Sequence, residues 1–331
     1  MTSFAPSMAR PTRRTLLQTT LAAGLAGALP RARAQGSTAR LVVGFPPGGA
    51  FDGIARVLAE HLRDALKQSV VVENKPGAGG RLAVETLKSA PADGSVVMLG
   101  PDALTSIYPL TSRKLTYNPK TDLVPVSTVL EFPFAFAAGS MPPAKTLAEY
   151  VRWAKAHPES ANFGHPASGA PHHFFGLMLG QAIGVPMQDV PFQGSGPMMV
   201  NLMGGQISSG IEVMGGMMEY HKSGKLHVLA LSSPQRMPQL PDVPTFSELG
   251  YPGITGMGFN ALFAPARTPA AEIERWNRAL HQVLAVPAVR DRFVEQGYAL
   301  APSTPQAAAE RSAQAAAFWA PVIKASGFSM D

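Results

Sequence analysis

Leu41-Val-Val-Gly-Phe-Pro-Pro-Gly-Gly-Ala-Phe-Asp52 is the stretch on which the fold turns. Leu41 to Val43 is an apolar run of buried-strand length. A proline-glycine turn follows, and then Ile54, Val57, Leu58, Leu62, Ala65 and Leu66 recur at helical spacing. The pattern repeats at once. Ser69 to Glu73 reads as a second strand, Asn74-Lys-Pro-Gly-Ala-Gly-Gly80 as a second glycine turn, and Leu82 to Leu87 as a short helix. Pro91-Ala-Asp-Gly94 then leads into a third strand, Ser95 to Leu99. Strand, helix, strand, helix, strand at this spacing predicts a parallel sheet with right-handed crossovers. In such sheets ligands sit beyond the carboxyl ends of the strands, where the first two glycine turns fall. A glycine turn that opens a helix presents main-chain N–H groups at the positive end of the helix dipole, which suits an anion.

A second alternation begins at Leu147. Leu147 to His157 is an amphipathic helix, entered after the Met141-Pro142-Pro143 break. Asn162 to Gly164 reads as a short strand, His165 to Pro171 as a loop and Phe174 to Ile183 as a helix. Asp189 to Phe192 is a strand, and Gln193 to Pro197 is a glycine turn opening the helix Met198 to Met203. Ile207 to Val213 and Leu226 to Leu231 continue the alternation, and Pro234 to Pro244 is a proline-rich connection. Ile254 to Pro265 reads as a return strand, followed by helices at Ala270 to Leu284, Ala288 to Gln296 and Pro305 to Ala325. The same architecture twice, with a late return segment, predicts two α/β lobes around a cleft. Residues 35–136 with 257–331 form the first lobe and 137–256 the second.

Composition narrows the function. The 331 residues are enough for two lobes and a sizeable core. The net charge of +6 belongs to the N-terminus, where residues 1–34 carry Arg10, Arg13, Arg14, Arg31 and Arg33 and no acid. The remainder holds 23 basic against 22 acidic residues, which gives no footprint for nucleic acid. That leader reads as an export signal. Thr12-Arg13-Arg14-Thr15-Leu16-Leu17 is a twin-arginine pattern, and Ala32-Arg33-Ala34 offers small residues for cleavage before Gln35. The apolar run Leu21 to Leu29 is far short of the ~20 residues a spanning helix needs. The sequence contains no cysteine, so disulfides, thiol nucleophiles and cysteine-held metals are excluded.

The common chemical motifs fail on detail. Gly77-Ala-Gly79-Gly80-Arg-Leu82 lacks the third glycine of a dinucleotide fingerprint, and Gly224-Lys225 is followed by Leu226 instead of the Ser or Thr of a phosphate loop. Ser195 lacks the glycine two positions earlier that a nucleophile elbow requires. His165, His172 and His173 cluster on one loop without a His-Glu-x-x-His pattern, and read as pocket-lining or helix-terminal imidazoles. Asp52 is either a dipole partner at its helix start or an acceptor for the ligand. Met198, Met199 and Met203 fit a helical core. Met214, Met217 and Met218 flank a Gly-Gly pair and offer an adaptable apolar pocket wall.

Taken in order, these residues resemble the periplasmic solute receptors of tripartite tricarboxylate transporters, the Bug-type binding proteins. The resemblance is carried by Phe45-Pro-Pro-Gly-Gly with Asp52 and Arg56, by Asn74-Lys-Pro-Gly-Ala-Gly-Gly80, and by Asp93-Gly94. Gly164, Gly169 and His173 continue it, then Val190-Pro-Phe-Gln-Gly194, Leu202-Met-Gly-Gly-Gln206 and Ser223-Gly-Lys225. Leu240-Pro-Asp-Val-Pro-Thr245, Phe263-Ala-Pro and Thr268-Pro complete it across the mature chain. It implies a class II periplasmic-binding-protein fold whose lobes close over a small carboxylate held by backbone amides, hydroxyls and water. The implied ligand-binding residues are Phe45, Pro47, Gly48, Gly49 and Asp52 from the first turn and Gly79 and Gly80 from the second. From the other lobe come Ser168, Gly169, His173, Gln193 and Gly194.

The chain departs from the family at three places. His165 stands where serine is usual, Ser208 where an acid is usual (Glu212 follows farther along), and Arg81 where a small or amide residue is usual. His165 and Arg81 would add positive character for a second carboxylate, whereas the methionines near Gly215 favour an apolar or aromatic body. The expectation is a monomeric periplasmic receptor with no cofactor or metal, which delivers a di- or tricarboxylate, amino acid or aromatic acid to a two-component membrane permease. Two rivals remain: a ligand sensor without a permease, and a secreted metal-dependent hydrolase using His165, His173 and Glu212.

Overall fold

The run before the first glycine turn forms β1 (Ala39–Val43), in which Leu41, Val42 and Val43 are fully buried. Burial on both faces is what a parallel strand with helices above and below requires. The computed structural model describes residues 38–331, so the export signal expected at 1–34 and its cleavage near Ala34 lie outside the described residues. β1 pairs in parallel with β2 (Val70–Asn74) on one side and β3 (Val96–Pro101) on the other. α1 (Ala50–Leu66) connects β1 to β2, and α2 (Arg81–Lys88) connects β2 to β3. Ile54, Leu58 and Leu62 form the buried stripe of α1, and the helix stops where Lys67 turns left-handed at φ 56°.

The second alternation is built the same way. α3 (Leu147–Ala156) is closed by a capping box in which Thr146 and Glu149 exchange bonds with each other's main chain. β5 (Asn162–His165) pairs in parallel with β6 (Gln188–Pro191), joined by α4 (Pro171–Ile183). Gly176 of α4 lies against Phe163 of β5 so closely that a Cβ there would collide with the ring. α5 (Ser195–Met203) follows β6, and β7 (Gly210–Val213) leads directly into α6 (Met214–Lys222). β8 (His227–Leu231) then precedes the return strand β9 (Met257–Pro265). Three more helices, α7 (Ala270–Leu284), α8 (Pro287–Glu295) and α9 (Pro305–Ser326), end the chain, with the short β10 (Ala299–Leu300) between the last two.

One strand ties the two alternations together. β4 (Leu123–Ala138) runs 16 residues. Leu123 to Pro133 pairs antiparallel with β9, and Phe134 to Ala138 pairs with β7 and β8. The strand order is therefore β2-β1-β3-β9-β4-β7-β5-β6, with β8 and β10 also pairing β4. The sequence pattern assigns no strand here, for two physical reasons. Pro125 and Pro133 interrupt the run, and thirteen of the sixteen positions are fully buried, so no in–out alternation exists. The register slips beside Pro125, which is how the ladder absorbs a residue without an N–H.

The expected methionine wall is corrected by the fold. Met214, Met217 and Met218 sit fully inside a second apolar core with Met198 and Leu202. The glycine face of α6 lies instead against Tyr298 and Glu212.

Candidate ligand-binding site

The loops leaving the carboxyl ends of β1, β3, β5, β6 and β7 all reach one cavity of about 500 Å³. That convergence follows from the pairing: β1 and β3 run parallel to β4, whereas β5, β6 and β7 run antiparallel to it, so the two sets of carboxyl ends face each other near its middle. Four helices begin on its wall: α1 at Gly49, α4 at Ala170, α5 at Gly194 and α6 at Val213. None of the four has a side-chain cap on its first-turn N–H groups. The first bond of the α1 ladder runs from Gly53 N–H to Gly49 O, so Ala50 and Phe51 carry N–H groups outside that ladder, and both line the cavity. Positive dipole ends without caps give a cavity that attracts an anion through its backbone.

The first turn is held rigid by Asp52. Its carboxylate is 2% exposed and accepts Gly48 N–H at 2.9 Å, Arg56 Nε at 2.8 Å and Asn74 Nδ2 at 2.9 Å. Asn74 also donates to Phe45 O at 3.1 Å, so the start of the second glycine turn is stitched to the first. Burial pushes the Asp52 carboxyl up, but the bonds from Arg56, Gly48 and Asn74 outweigh it and hold the group below its ordinary value. Asp52 shapes the turn from behind and does not line the cavity.

The opposite side is acidic and unsatisfied. Glu212, at the end of β7, is 2% exposed. One of its oxygens accepts Val213 N–H at 2.8 Å and the other has no partner. Burial pushes this carboxyl up to about 7, against the pull of Ser195 and the Val213 amide. His172 Nε2 stands 4.0 Å from it, and burial holds that imidazole down at about 3, hence neutral. Asp102, buried at the end of β3, also lines the cavity and is pushed up to about 7 by desolvation. Neither lysine nor arginine is among the described lining residues. Much of the remaining wall is aromatic, with Phe45 stacked on Phe51 at 4.5 Å and Phe132 edge-on to Phe134 at 5.8 Å.

Of the residues expected at the site, Phe45, Pro47, Gly48, Gly49, Gln193 and Gly194 line this cavity. Gly79 lines a smaller neighbouring cavity of about 150 Å³, which shares Phe45, Gln193 and Gly194 with the larger one. Gly80, Asp52, Ser168, Gly169 and His173 line neither. α4 begins at Pro171, earlier than expected, and successive helical side chains point in different directions, so His172 reaches the wall and His173 faces away. Arg81 lies outside both cavities, with its Nε on Ala78 O and its guanidinium 5.3 Å from the Tyr108 ring centre. Asp102, His172 and Tyr298 line the cavity and are not among the ligand-binding residues the sequence pointed to. Only the Gly215-Gly216 pair, just beyond Val213 and Met214, hints in sequence at a second close-approach wall.

The histidines separate into two sets. His165 and His173 stack at 4.8 Å and both direct Nε2 toward Asp189, at 3.5 and 3.6 Å. Three such groups within 4.8 Å are candidate metal ligands. The tautomer argues otherwise. Gly169 donates its N–H to His173 Nδ1, which leaves the proton on Nε2, the nitrogen a metal would need. Glu212 belongs with His172 instead, so the residues of the hydrolase reading do not form one constellation.

Relatives share this architecture. A family model described as "Tripartite tricarboxylate transporter family receptor" matches residues 54–328. BugT of Bordetella pertussis is 33% identical over 289 residues, 87% of this chain and 89% of BugT. The solved periplasmic binding protein BugD is 30% identical, with a TM-score of 0.83 over 88% of this chain and 98% of BugD. MatC from Rhodopseudomonas palustris with bound malate is 29% identical, with a TM-score of 0.81 over 86% of this chain and 98% of MatC. An R. palustris protein with adipate is 27% identical, with a TM-score of 0.85 over 88% of this chain and 98% of that one.

Proposed function

The chain belongs to the tripartite tricarboxylate transporter receptor family, with its α/β periplasmic-binding-protein fold, and from that premise we propose that it captures a small carboxylate in the periplasm. The family is one of binding proteins, not enzymes. The observation that carries the proposal is the cavity wall itself: four uncapped helix N-termini around about 500 Å³ of space. That volume lies within the usual range for a small-molecule site, and the main-chain donors suit one carboxylate.

Among the described residues, 38–136 with 257–331 act as one lobe and 137–256 as the other, with β4 crossing between them and the chain returning at the start of β9. Lobe closure gives the bound form a shape that a two-component permease, or a signalling partner, distinguishes from the empty one. Export through the leader, with cleavage near Ala34, places the chain where that exchange happens. Adipate and malate in related structures support a carboxylate as the cargo.

A thermal-shift panel of mono-, di- and tricarboxylates tests the reading. A ligand at a hundred times its Kd adds about 2.7 kcal/mol of stability, which is a clear rise in Tm for the true ligand class. A panel in which no carboxylate moves Tm contradicts the proposal.

A further inference from the structure

The cavity's charge inventory says more about the cargo than the fold does. Its described wall contains two buried carboxyl groups, one neutral imidazole and no cationic side chain. Glu212 keeps one oxygen without a partner in a fully buried setting, which is costly unless something donates to it. The Ser195 hydroxyl is near enough to pull on this carboxyl but completes no hydrogen bond to that oxygen. The titratable groups facing it are His172 from α4 and Tyr298, the latter's hydroxyl pushed up by burial and by Glu212 itself, and both are neutral. Ser195, at the first turn of α5, stands beside it and brings main-chain donors next to the acid. A ligand placed here meets an anion site and an unsatisfied anion side by side.

A second ligand carboxylate would have to approach Asp102 or Glu212 and force a proton onto it. An ammonium group meets no such penalty and supplies the missing donor and the missing charge together. The aromatic wall of Phe45, Phe51, Phe132 and Phe134 accepts an apolar body of ring size.

Resting on the carboxylate-receptor reading above, we infer that the ligand is a zwitterionic monocarboxylate with an apolar or aromatic body, its carboxylate on the helix N-termini and its ammonium on Glu212. Di- and tricarboxylates are disfavoured by the same residues.

Calorimetric titration with matched pairs tests this. The probes are L-phenylalanine against 3-phenylpropanoate, L-tryptophan against 3-indolepropanoate, and L-leucine against 4-methylpentanoate, with malate, adipate and citrate as the polyacid arm. The expected result is at least tenfold tighter binding for the amino acid of whichever pair binds, and its affinity rises severalfold from pH 6 to pH 8 as Glu212 ionises. Glu212→Gln removes both the preference and the pH dependence. Equal affinity within the pairs, tightest binding by a polyacid, or an unchanged preference in Glu212→Gln overturns the inference and leaves the receptor reading standing. No binding by any member of either arm overturns the receptor reading itself.

Discussion

Asp52 and Glu212 are both 2% exposed, both in or beside a turn at the cavity, and they titrate in opposite directions. Asp52 accepts three donors and is held below its ordinary value. Glu212 accepts one, keeps an oxygen bare and is pushed up to about 7. Both are shut off from solvent, but Glu212 lies deeper and is desolvated more strongly, and it also has fewer donors answering its oxygens. The protein satisfies the carboxylate that builds the first turn and leaves unsatisfied the one that faces the space. The first is frame, and the second waits for a partner.

The contrast has a measurable sign. A carboxyl raised in the folded state stabilises the fold below its unfolded value and loses that contribution as pH climbs through the folded value. For Glu212 the window runs from 4.5, its ordinary value, to about 7, and the loss is on the order of 3 kcal/mol for a shift of this size. Glu212→Gln is therefore expected to flatten the fall in ligand-free stability across that window, as read by urea unfolding at stepped pH. An unchanged pH profile would mean that the oxygen is answered in solution and the contrast is false.

Asp52 runs the other way. Its lowered value stabilises the fold above the ordinary 3.8 and is lost as pH falls through the folded value. Gly48 N–H and Arg56 Nε already share Oδ2, so Asp52→Asn can keep that oxygen for them only by turning its NH2 against Asn74 Nδ2, donor to donor, at a cost of about 2 kcal/mol. Carboxylate binding should weaken with it, because the first turn loses its brace. A variant of wild-type stability would show that the turn holds its shape without Asp52.

Sequence carried the frame much further than the site. Leu41 to Val43 and the helical stripe from Ile54 to Leu62 mark a parallel unit because burial and period are local properties. β4 was illegible because two prolines and unbroken burial erase both local signals. The glycine turns at Gly48 and Gly194 could be placed on the wall, since turn chemistry is local too. Asp102, His172 and Tyr298 could not, for they meet only after β4 sets the two groups of strands facing each other. The family resemblance points to His173, whereas the turn of α4 from Pro171 puts its neighbour His172 on the wall.

The central claim is that a carboxylate binds in the cavity at the end of β1, and Gly48 gives direct access to it. Its φ is +80°, and a Cβ there meets nothing within 4 Å, so a large side chain would project into open space beside the wall. The left-handed backbone adds a cost of roughly 1–2 kcal/mol, which a domain of this size tolerates. The decisive measurement is calorimetric titration of wild-type and Gly48→Trp protein with the amino acid and polyacid probes named above, with circular dichroism confirming that both are folded. The account predicts one site in the wild type and at least a hundredfold weaker binding in the folded variant; equal affinity in the two would contradict it.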